Sequence, residues 1–272
     1  WTYYNAPSNH RVGQPSDDFG NQNTTTYNLQ ASVSSQLNTN NLIKSGLQFY
    51  YYDVNVDMDM NITTKGNYRN VKFNAFPYEG AIYFQDKMEF AGMIANIGLR
   101  WDFYQLNTEY YGDKFSPLRQ PDYKIKTKFY SRLQPRIGIS FPVSEHSVFH
   151  LNYGTFTQRP NFNQLFYNQI TLNEDVDVLG NPALKPENTN AYDVGLVQGL
   201  PYGFRLDVSA YYKDVRDLVE SAYYTDRNFE VYRTYINRDY ADIKGFHVSL
   251  EKVGSGLRGY LRYNYEAAKG KS

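Results

Sequence analysis

Hydrophobic and polar residues alternate with a period of two along most of this chain, and helical periodicity is nearly missing. The clearest stretch follows Gly92. Its apolar face consists of Met93, Ala95, Ile97, Leu99, Trp101 and Phe103. The opposite face is mostly polar and includes Arg100 and Asp102. This alternation predicts a β-strand with one apolar and one polar face.

The same alternation recurs in several other segments, which are 27–34, 43–51, 137–141, 149–154, 204–213, 246–250 and 257–265. The longest runs exceed the ~5–6 residues typical of strands in globular proteins. They suit a tilted membrane span of about 9–11 residues with extensions above the membrane. A soluble β-sandwich would also alternate, with its apolar face inward. Strand length therefore favours the membrane interpretation.

The connections between these segments fall into two kinds. Short ones lie at Asn38–Asn41, Glu89–Gly92, Val143–His146, Gly199–Gly203 and Val253–Gly256. Long polar ones lie at Asp57–Asn74, Leu106–Lys128, Thr157–Asn188 and Ser221–Glu230. The two kinds alternate strictly along the chain, which is typical of outer-membrane barrels. We therefore predict an all-β fold, an antiparallel transmembrane β-barrel wall of about ten strands in five hairpins.

Aromatic residues support this prediction, because 28 tyrosines and an aromatic content of 17% suit the belts found at membrane interfaces. On this prediction Leu99 and Leu206 face lipid, and Arg100 and Asp207 face the lumen. A mean hydropathy of −0.65 does not oppose it, because alternating strands average out to polar. No stretch approaches the roughly 18 apolar residues of a membrane helix.

The composition and the motifs exclude several classes of function. The formal net charge is zero, so there is no bulk electrostatic attraction for nucleic acid, and no nucleic-acid partner is expected. Cysteine is absent, which excludes a disulfide framework, a thiolate metal site and a cysteine nucleophile. No Gly-rich phosphate loop and no GxSxG motif occurs. We expect no catalytic residues and no cofactor.

One segment resembles a known family. The stretch 180–195, which reads GNPALKPENTNAYDVG, resembles the NPxLKPE signature of TonB-dependent outer-membrane receptor barrels, with Asp193 where glutamate is commoner. Further resemblances follow the family's order, namely Ala81–Lys87 with Gly98–Asp102, Gln134–Gly138, Tyr153–Phe162, Ala210–Asp214 and Asn237–Gly245. Each piece alone is weak, but six in order across roughly 81–270 make a specific match.

The resemblance implies a larger assembly. Such receptors have a plug domain and a barrel of about 22 strands. Residues 1–272 are then expected to be a partial barrel domain, without the plug and without a complete C-terminus. The implied partners are outer-membrane lipid, the remainder of the barrel, the plug, the TonB complex acting through it, and a small solute. A surface lipoprotein is a further partner left open.

The implied function is energy-coupled uptake of a scarce solute, such as a siderophore, vitamin, oligosaccharide or peptide, at the bacterial outer membrane. Two alternatives remain open. One is a closed ten-strand barrel enzyme, an omptin-like protease with carboxylates and histidine at its mouth. The other is a structural or adhesion barrel. The sequence on either side of this segment would separate them.

Candidate ligand-binding residues lie in the connection Thr157–Asn188, which the resemblance places over the substrate entrance. They are Arg159, Asn161, Asn163, Phe166 and Tyr167, to which His150 on the polar face of its strand is added. Arginine binds carboxylates and phosphates through bidentate hydrogen bonds, and aromatic rings stack on flat ligands. The alternative for each is ordinary loop or wall packing. The prolines at 182 and 186 are interpreted as structural, ending the ladder before the next strand.

A weak metal candidate is the alternating ladder of Asp53, Asp57 and Asp59, which continues through Asn55 and Asn61. Its opening resembles a calcium loop. The sixth position is Met58 rather than glycine, and the twelfth is Thr64 rather than glutamate, so the EF-hand interpretation fails. A solvated extracellular strand extension is the favoured interpretation, and no metal is expected.

Overall fold

The structure, a computed structural model, describes residues 2–7, 19–62, 67–112, 124–166, 177–227, 229, 231–254 and 256–270. Within these ranges the secondary structure is almost entirely strand. The strands are β1 Thr2–Pro7, β2 Phe19–Gln36, β3 Asn41–Ile62, β4 Asn67–Ala75, β5 Tyr78–Phe90, β6 Met93–Gln105, β7 Glu109–Tyr111, β8 Lys124–Lys126, β9 Tyr130–Ser144, β10 Ser147–Gln158, β11 Asp177–Leu179, β12 Glu187–Leu200, β13 Phe204–Thr225, β14 Val231–Lys252 and β15 Gly259–Gly270. One short helix, α1, spans Phe162–Phe166, and a 3-10 turn spans Pro201–Gly203.

Ten of these strands form one antiparallel meander in the order β2-β3-β5-β6-β9-β10-β12-β13-β14-β15. This confirms the predicted fold class and strand number. β1 pairs with β2 at one edge, β4 extends the pairing of β3, and β11 adds in parallel to β14. β7 and β8 form a separate hairpin. In the part of the chain that the structure describes, the sheet does not close on itself, because β15 pairs with β14 alone.

Tight turns join the strands at one end of the sheet, at the five places that the sequence predicts. In the first, the Asn38 side-chain Oδ1 accepts the backbone N–H groups of Asn40 and Asn41, each at 2.8 Å. In the second, Ala91 and Gly92 have φ of 48° and 80°. Two successive left-handed residues make the type I′ turn that matches the twist of a β-hairpin, and glycine adopts this conformation without strain.

The connections at the opposite end are longer and partly folded. β3 and β4 form a hairpin extension, and α1 and β11 lie between β10 and β12. The connection predicted near Ser221–Glu230 is shorter than predicted, since β13 continues to Thr225 while β14 begins at Val231 as expected. The pairing of Ser221 with Tyr235 satisfies backbone groups that a loop would leave to water.

The two faces of the sheet differ as the alternation predicts. On β6, the side chains of Ile97, Leu99 and Trp101 are 47%, 46% and 40% exposed. A sandwich would bury them under a second layer, whereas a membrane barrel presents them to lipid. Arg100 and Asp102 project from the other face, which we call the inner face. On β13, Phe204 and Val208 are exposed on either side of the half-buried Leu206.

The membrane level can be placed from the tight turns. About ten residues counted from a turn cross the membrane. This count places 41–50, 81–90, 93–102, 135–144 and 147–156 in the membrane. The inner-face residues Tyr52, Glu79, Tyr104, Arg132 and Arg159 therefore lie beyond it, on the side of the long connections. Among the described residues no helix is long and apolar enough to cross a membrane.

Candidate functional site

The described parts of the connection between β10 and β12, which are residues 159–166 and 177–186, pack against the inner face above the membrane. Leu165 of α1 is fully buried, and Leu184 is 1% exposed. They form one cluster with apolar residues of the neighbouring strands, which we call the inner-loop core. Its other members are Tyr52, Val54, Val56, Ala75, Tyr104, Leu106 and Phe166. Because tight packing of this kind excludes water, α1 and the segment around Leu184 are fixed parts of the upper wall.

Arg159 connects this loop to a distant strand. Its Nε lies 3.0 Å from Oε2 of Glu79 on β5, which is 80 residues away in sequence. The guanidinium lies 4.1 Å from the centre of the Phe162 ring and 5.2 Å from that of Tyr52. The Tyr52 hydroxyl donates to Oε1 of Glu79 at 2.5 Å. Both oxygens of the Glu79 carboxylate are therefore engaged.

These contacts shift the titration of the groups involved. Burial first, and then the hydrogen bond to Glu79, raise the pKa of Tyr52 to about 12. Burial by itself lowers the pKa of Arg159, but the Glu79 carboxylate and Tyr52 raise it by more, so that its net shift is upward. Tyr52 thus stays neutral and Arg159 stays charged throughout the physiological pH range.

The segment 180–187 attaches the other end of the loop to the wall. The Asn181 side chain donates to the backbone oxygen of Tyr235 at 2.7 Å and accepts the backbone N–H of Ala183 at 2.9 Å. The side-chain Oδ1 of Asn237 accepts the backbone N–H of Lys185 at 2.8 Å. β12 begins directly after Pro186, at Glu187. These contacts give the first part of the stretch 180–195 a structural role, the attachment of the loop to the wall, which agrees with the interpretation of its two prolines as structural.

A cavity of about 590 Å³ opens on the inner face below this loop, and we call it the upper cavity. Its charged lining residues come from six separated segments, and are Glu79, Arg100, Asp102, Arg132, Arg159, Lys185 and Asp217. Arg100 Nε lies 2.7 Å from Asp102 Oδ1, and Arg100 Nη2 donates to Gln48 Oε1 at 2.9 Å. The other oxygen of Asp102 accepts a hydrogen bond from Gln134.

A second inner-face cavity of about 700 Å³ lies nearer the tight turns. The Asn152 side chain donates to Asp193 Oδ1 at 2.9 Å, and His150 Nε2 lies 3.4 Å from the same oxygen. The His150 ring lies against Gly195, where an added Cβ would come within 2.4 Å of the ring, without room for a larger residue. His150 is therefore engaged with the wall at this level.

The structure separates the predicted ligand-binding residues. Arg159 lines the upper cavity, and Phe166, 8% exposed, lies in the inner-loop core. Asn161 and Asn163 are exposed at the start of the loop, where the Asn161 backbone N–H donates to Gln164 Oε1 at 2.9 Å. Tyr167 lies outside the described residues. The structure therefore brings together only part of the predicted set.

Asp53, the first residue of the acidic ladder, lies on the face of β3 opposite to the buried Val54 and Val56. Asp53 pairs with Thr25 on the extension of β3, while Val54 and Val56 turn inward and are buried. The side chains of Asp57 and Asp59 lie outside the described part. Among the residues described, no group of three or more His, Cys, Asp or Glu side chains could hold a metal ion.

Sequence reasoning missed most of the upper cavity, including Glu79, Tyr104 and Arg132. The alternation places all three on the polar face of their strands. Their convergence depends on the β5–β6–β9 register, in which Glu79 is opposite Tyr104 and Arg132 is opposite Asp102. A periodic pattern within one strand does not contain this register.

These features together define a class of protein. Ten membrane-length antiparallel strands carry apolar side chains outward and enclose polar cavities on the inner face. Tight turns lie at one end and long, partly folded connections at the other. This is the wall of an outer-membrane β-barrel.

The comparison with family models then identifies the family. The model described as "TonB dependent receptor-like, beta-barrel" matches residues 1–271, and the chain belongs to this family. Its proteins are transporters and receptors of the bacterial outer membrane, not enzymes. The closed-barrel protease alternative is thereby set aside.

Individual relatives agree with this assignment. The chain is 30% identical over 86 residues to the vitamin B12 transporter BtuB of Vibrio vulnificus (strain YJ016), covering 32% of this chain and 12% of that protein. The FrpB iron transporter of Neisseria meningitidis (F3-3 variant) has a TM-score of 0.65 at 15% identity, covering 92% of this chain and 36% of that one. The Serratia marcescens hemophore receptor HasR has a TM-score of 0.64 at 17% identity, covering 94% and 42%. At these identities the solved structures show the shared fold alone.

Proposed function

We propose that this chain forms part of the barrel wall and of the extracellular solute-binding site of an outer-membrane receptor. The receptor takes up a scarce solute with energy supplied from the inner membrane. The observation that carries this proposal is the upper cavity. It lies on the inner face at the upper boundary of the membrane, below the inner-loop core, and is lined by charged and tyrosine side chains. Its volume of about 590 Å³ falls within the usual ~300–1,000 Å³ of small-molecule sites.

The partners in this proposal follow from the family. The polar inner face meets the plug domain and the rest of the same barrel, and the TonB complex acts through the plug. The outer face meets outer-membrane lipid. The solute is a siderophore, a vitamin, an oligosaccharide or a peptide. A surface lipoprotein over the long connections stays a prediction.

We assign the predicted contact residues two roles within this proposal. Asn161 and Asn163, which are exposed, contact the solute as it enters. Arg159, Phe166 and His150 hold the loop and the wall in place around its path, since their side chains are engaged or buried. Tyr167 is kept with the entrance residues.

The test uses the full-length receptor in its own host. A strain lacking the gene is grown with iron, cobalamin, glycan or peptide as the single limiting nutrient. We expect a growth defect on one of them that the wild-type gene repairs. Uptake of that nutrient by the repaired strain should stop when an uncoupler collapses the proton gradient. The proposal would be contradicted if the mutant grew as well as the wild-type strain on all four nutrients, or if the uncoupler left uptake unchanged.

A further inference from the structure

We propose that the upper cavity binds solutes through an anionic oxygen group, a carboxylate or a phosphate, and that Arg132 is the residue that binds this group. This inference rests on the proposed function, because it names the class of solute that the same cavity takes. It follows from which hydrogen-bonding groups of the cavity are already occupied.

All three acidic side chains of the cavity are occupied on both oxygens. Glu79 accepts from Tyr52 and Arg159, and Asp102 accepts from Arg100 and Gln134. Asp217 accepts from Asn188 at 3.2 Å through one oxygen, and the other lies 3.7 Å from Lys185 Nζ. Each carboxylate is also paired with one cation of the lining, Glu79 with Arg159, Asp102 with Arg100 and Asp217 with Lys185, so none carries an unbalanced negative charge that would attract a cationic solute. The cavity therefore does not suit a cationic group.

Three of the four cations are accounted for by these same pairs, which leaves Arg132. It lies on β9 opposite Asp102, the acid that would be its natural partner. Both oxygens of Asp102 are already taken, by Arg100 and by Gln134. Arg132 makes no hydrogen bond or ion pair with any residue that the structure describes, and its side chain is half-buried. A guanidinium in this position carries five unused donors in a planar fork.

Tyr104 supplies a second unused donor. The residue is 5% exposed, lines the cavity, and its hydroxyl has no partner among the described residues. Buried polar groups in proteins are nearly always hydrogen-bonded, so a buried hydroxyl of this kind calls for a partner. Burial raises the pKa of Tyr104 well above its usual range, which keeps the hydroxyl protonated as a donor.

The described lining of the cavity thus has spare hydrogen-bond donors and one positive charge, that of Arg132, which no carboxylate of the lining balances. A planar guanidinium binds the two oxygens of a carboxylate or phosphate side by side, and a phenol can add a third hydrogen bond. The tyrosine rings of Tyr50 and Tyr130 complete the lining. An acidic small solute fits this combination, whereas a neutral one would leave the guanidinium unpaired.

The first test measures Arg132 directly, on purified full-length receptor. Arginines are modified with phenylglyoxal and mapped by mass spectrometry, with citrate, inorganic phosphate or neutral glucose as the probe. We expect Arg132 to react about tenfold faster than the paired Arg100 and Arg159. Citrate or phosphate should slow its reaction, glucose should not, and exposed Arg258 should be indifferent to all three. Slow reaction of Arg132, no protection, or equal protection by glucose would overturn the inference.

The second test uses variants in the nutrient-limited uptake assay. Arg132→Gln should raise the half-saturating concentration about tenfold or more, because it removes a charge-assisted pair of hydrogen bonds. Arg132→Lys should recover part of the loss, since it restores the charge without the fork. Arg258→Gln is the matched control, and heat-modifiable migration on gels checks folding.

The two proposals fail differently. Wild-type receptor that supports no uptake, while citrate still protects Arg132, would contradict the proposed function alone. Wild-type receptor that supports uptake unchanged by Arg132→Gln would overturn this inference alone.

Discussion

Replacing Leu99 by arginine tests which face of the sheet meets lipid and at what depth. Leu99 is the seventh residue of β6, which begins directly after a tight turn. Each residue rises about 3.3 Å along a strand, or roughly 2.5 Å along the barrel axis at a tilt near 40°. Six steps from Met93 place Leu99 about 15 Å higher, near the middle of an apolar band ~25 Å tall.

The depth sets the magnitude. An arginine on the lipid face costs about 2–4 kcal/mol at the midplane and about 0–1 kcal/mol near the interfaces. Phe90, the last residue of β5, is 68% exposed beside the tight turn and serves as the interface control. We therefore expect Leu99→Arg to destabilise the receptor by about 2–3 kcal/mol more than Phe90→Arg. Asn96→Arg, on the inner face of the same strand, should also cost less than Leu99→Arg.

The assay is guanidinium-induced unfolding of the full-length receptor in phospholipid vesicles, with the slope of the transition compared between variants. A shifted midpoint at constant slope reports stability alone. Equal costs for Leu99→Arg and Phe90→Arg, or a larger cost for Asn96→Arg, would refute the facing and depth assigned to β6.

Three further variants test the wall and the loop. Arg159→Gln removes the charged partner of Glu79 and should weaken the attachment of the loop by about 1–3 kcal/mol, seen as faster hydrogen exchange in Phe162–Phe166. Arg216→Gln is the control and should not change this exchange, because the Arg216 side chain is 67% exposed in its pair with Asp214. Asn181→Ala loses the hydrogen bond that joins the loop to β14 and a second one to Ala183 within the loop, and should lower the unfolding free energy by about 1–3 kcal/mol, while Asn161→Ala stays neutral. Gly195→Ala should destabilise the receptor, because the added methyl group forces the His150 ring aside. His150→Ala should relieve part of that cost, so a double-mutant cycle of the two changes should give a coupling free energy of about 0.5–3 kcal/mol. Gly259→Ala, which meets nothing within 4 Å, is the control, and additive effects would contradict the contact.

The strands and their tight turns were predictable because their causes are local. Alternation fixes which residues share a face, and turn residues such as Gly92 end one strand and begin the next. The upper end of β13 was not predictable. Residues 221–225 predict a loop, yet their pairing with β14 across the sheet continues the strand to Thr225.

The cavity escaped prediction for a different reason. Arg159 appeared as a candidate because its residue type and loop suggested ligand contact, but its partner Glu79 lies 80 residues away. Arg132 was not singled out, because its freedom depends on Gln134 and Arg100 having taken both oxygens of Asp102. Such competition between neighbours is a property of the folded register and has no counterpart in a sequence pattern.

The deep burial of Leu165 and Leu184 has a consequence for how a solute enters. Moving α1 away from the wall would expose both side chains to water, at about 1.5–3 kcal/mol each. A cost of roughly 3–6 kcal/mol leaves the displaced arrangement in fewer than about one molecule in a hundred. In the proposed uptake of a solute, the helix is therefore a rigid rim beside the upper cavity rather than a part that moves aside.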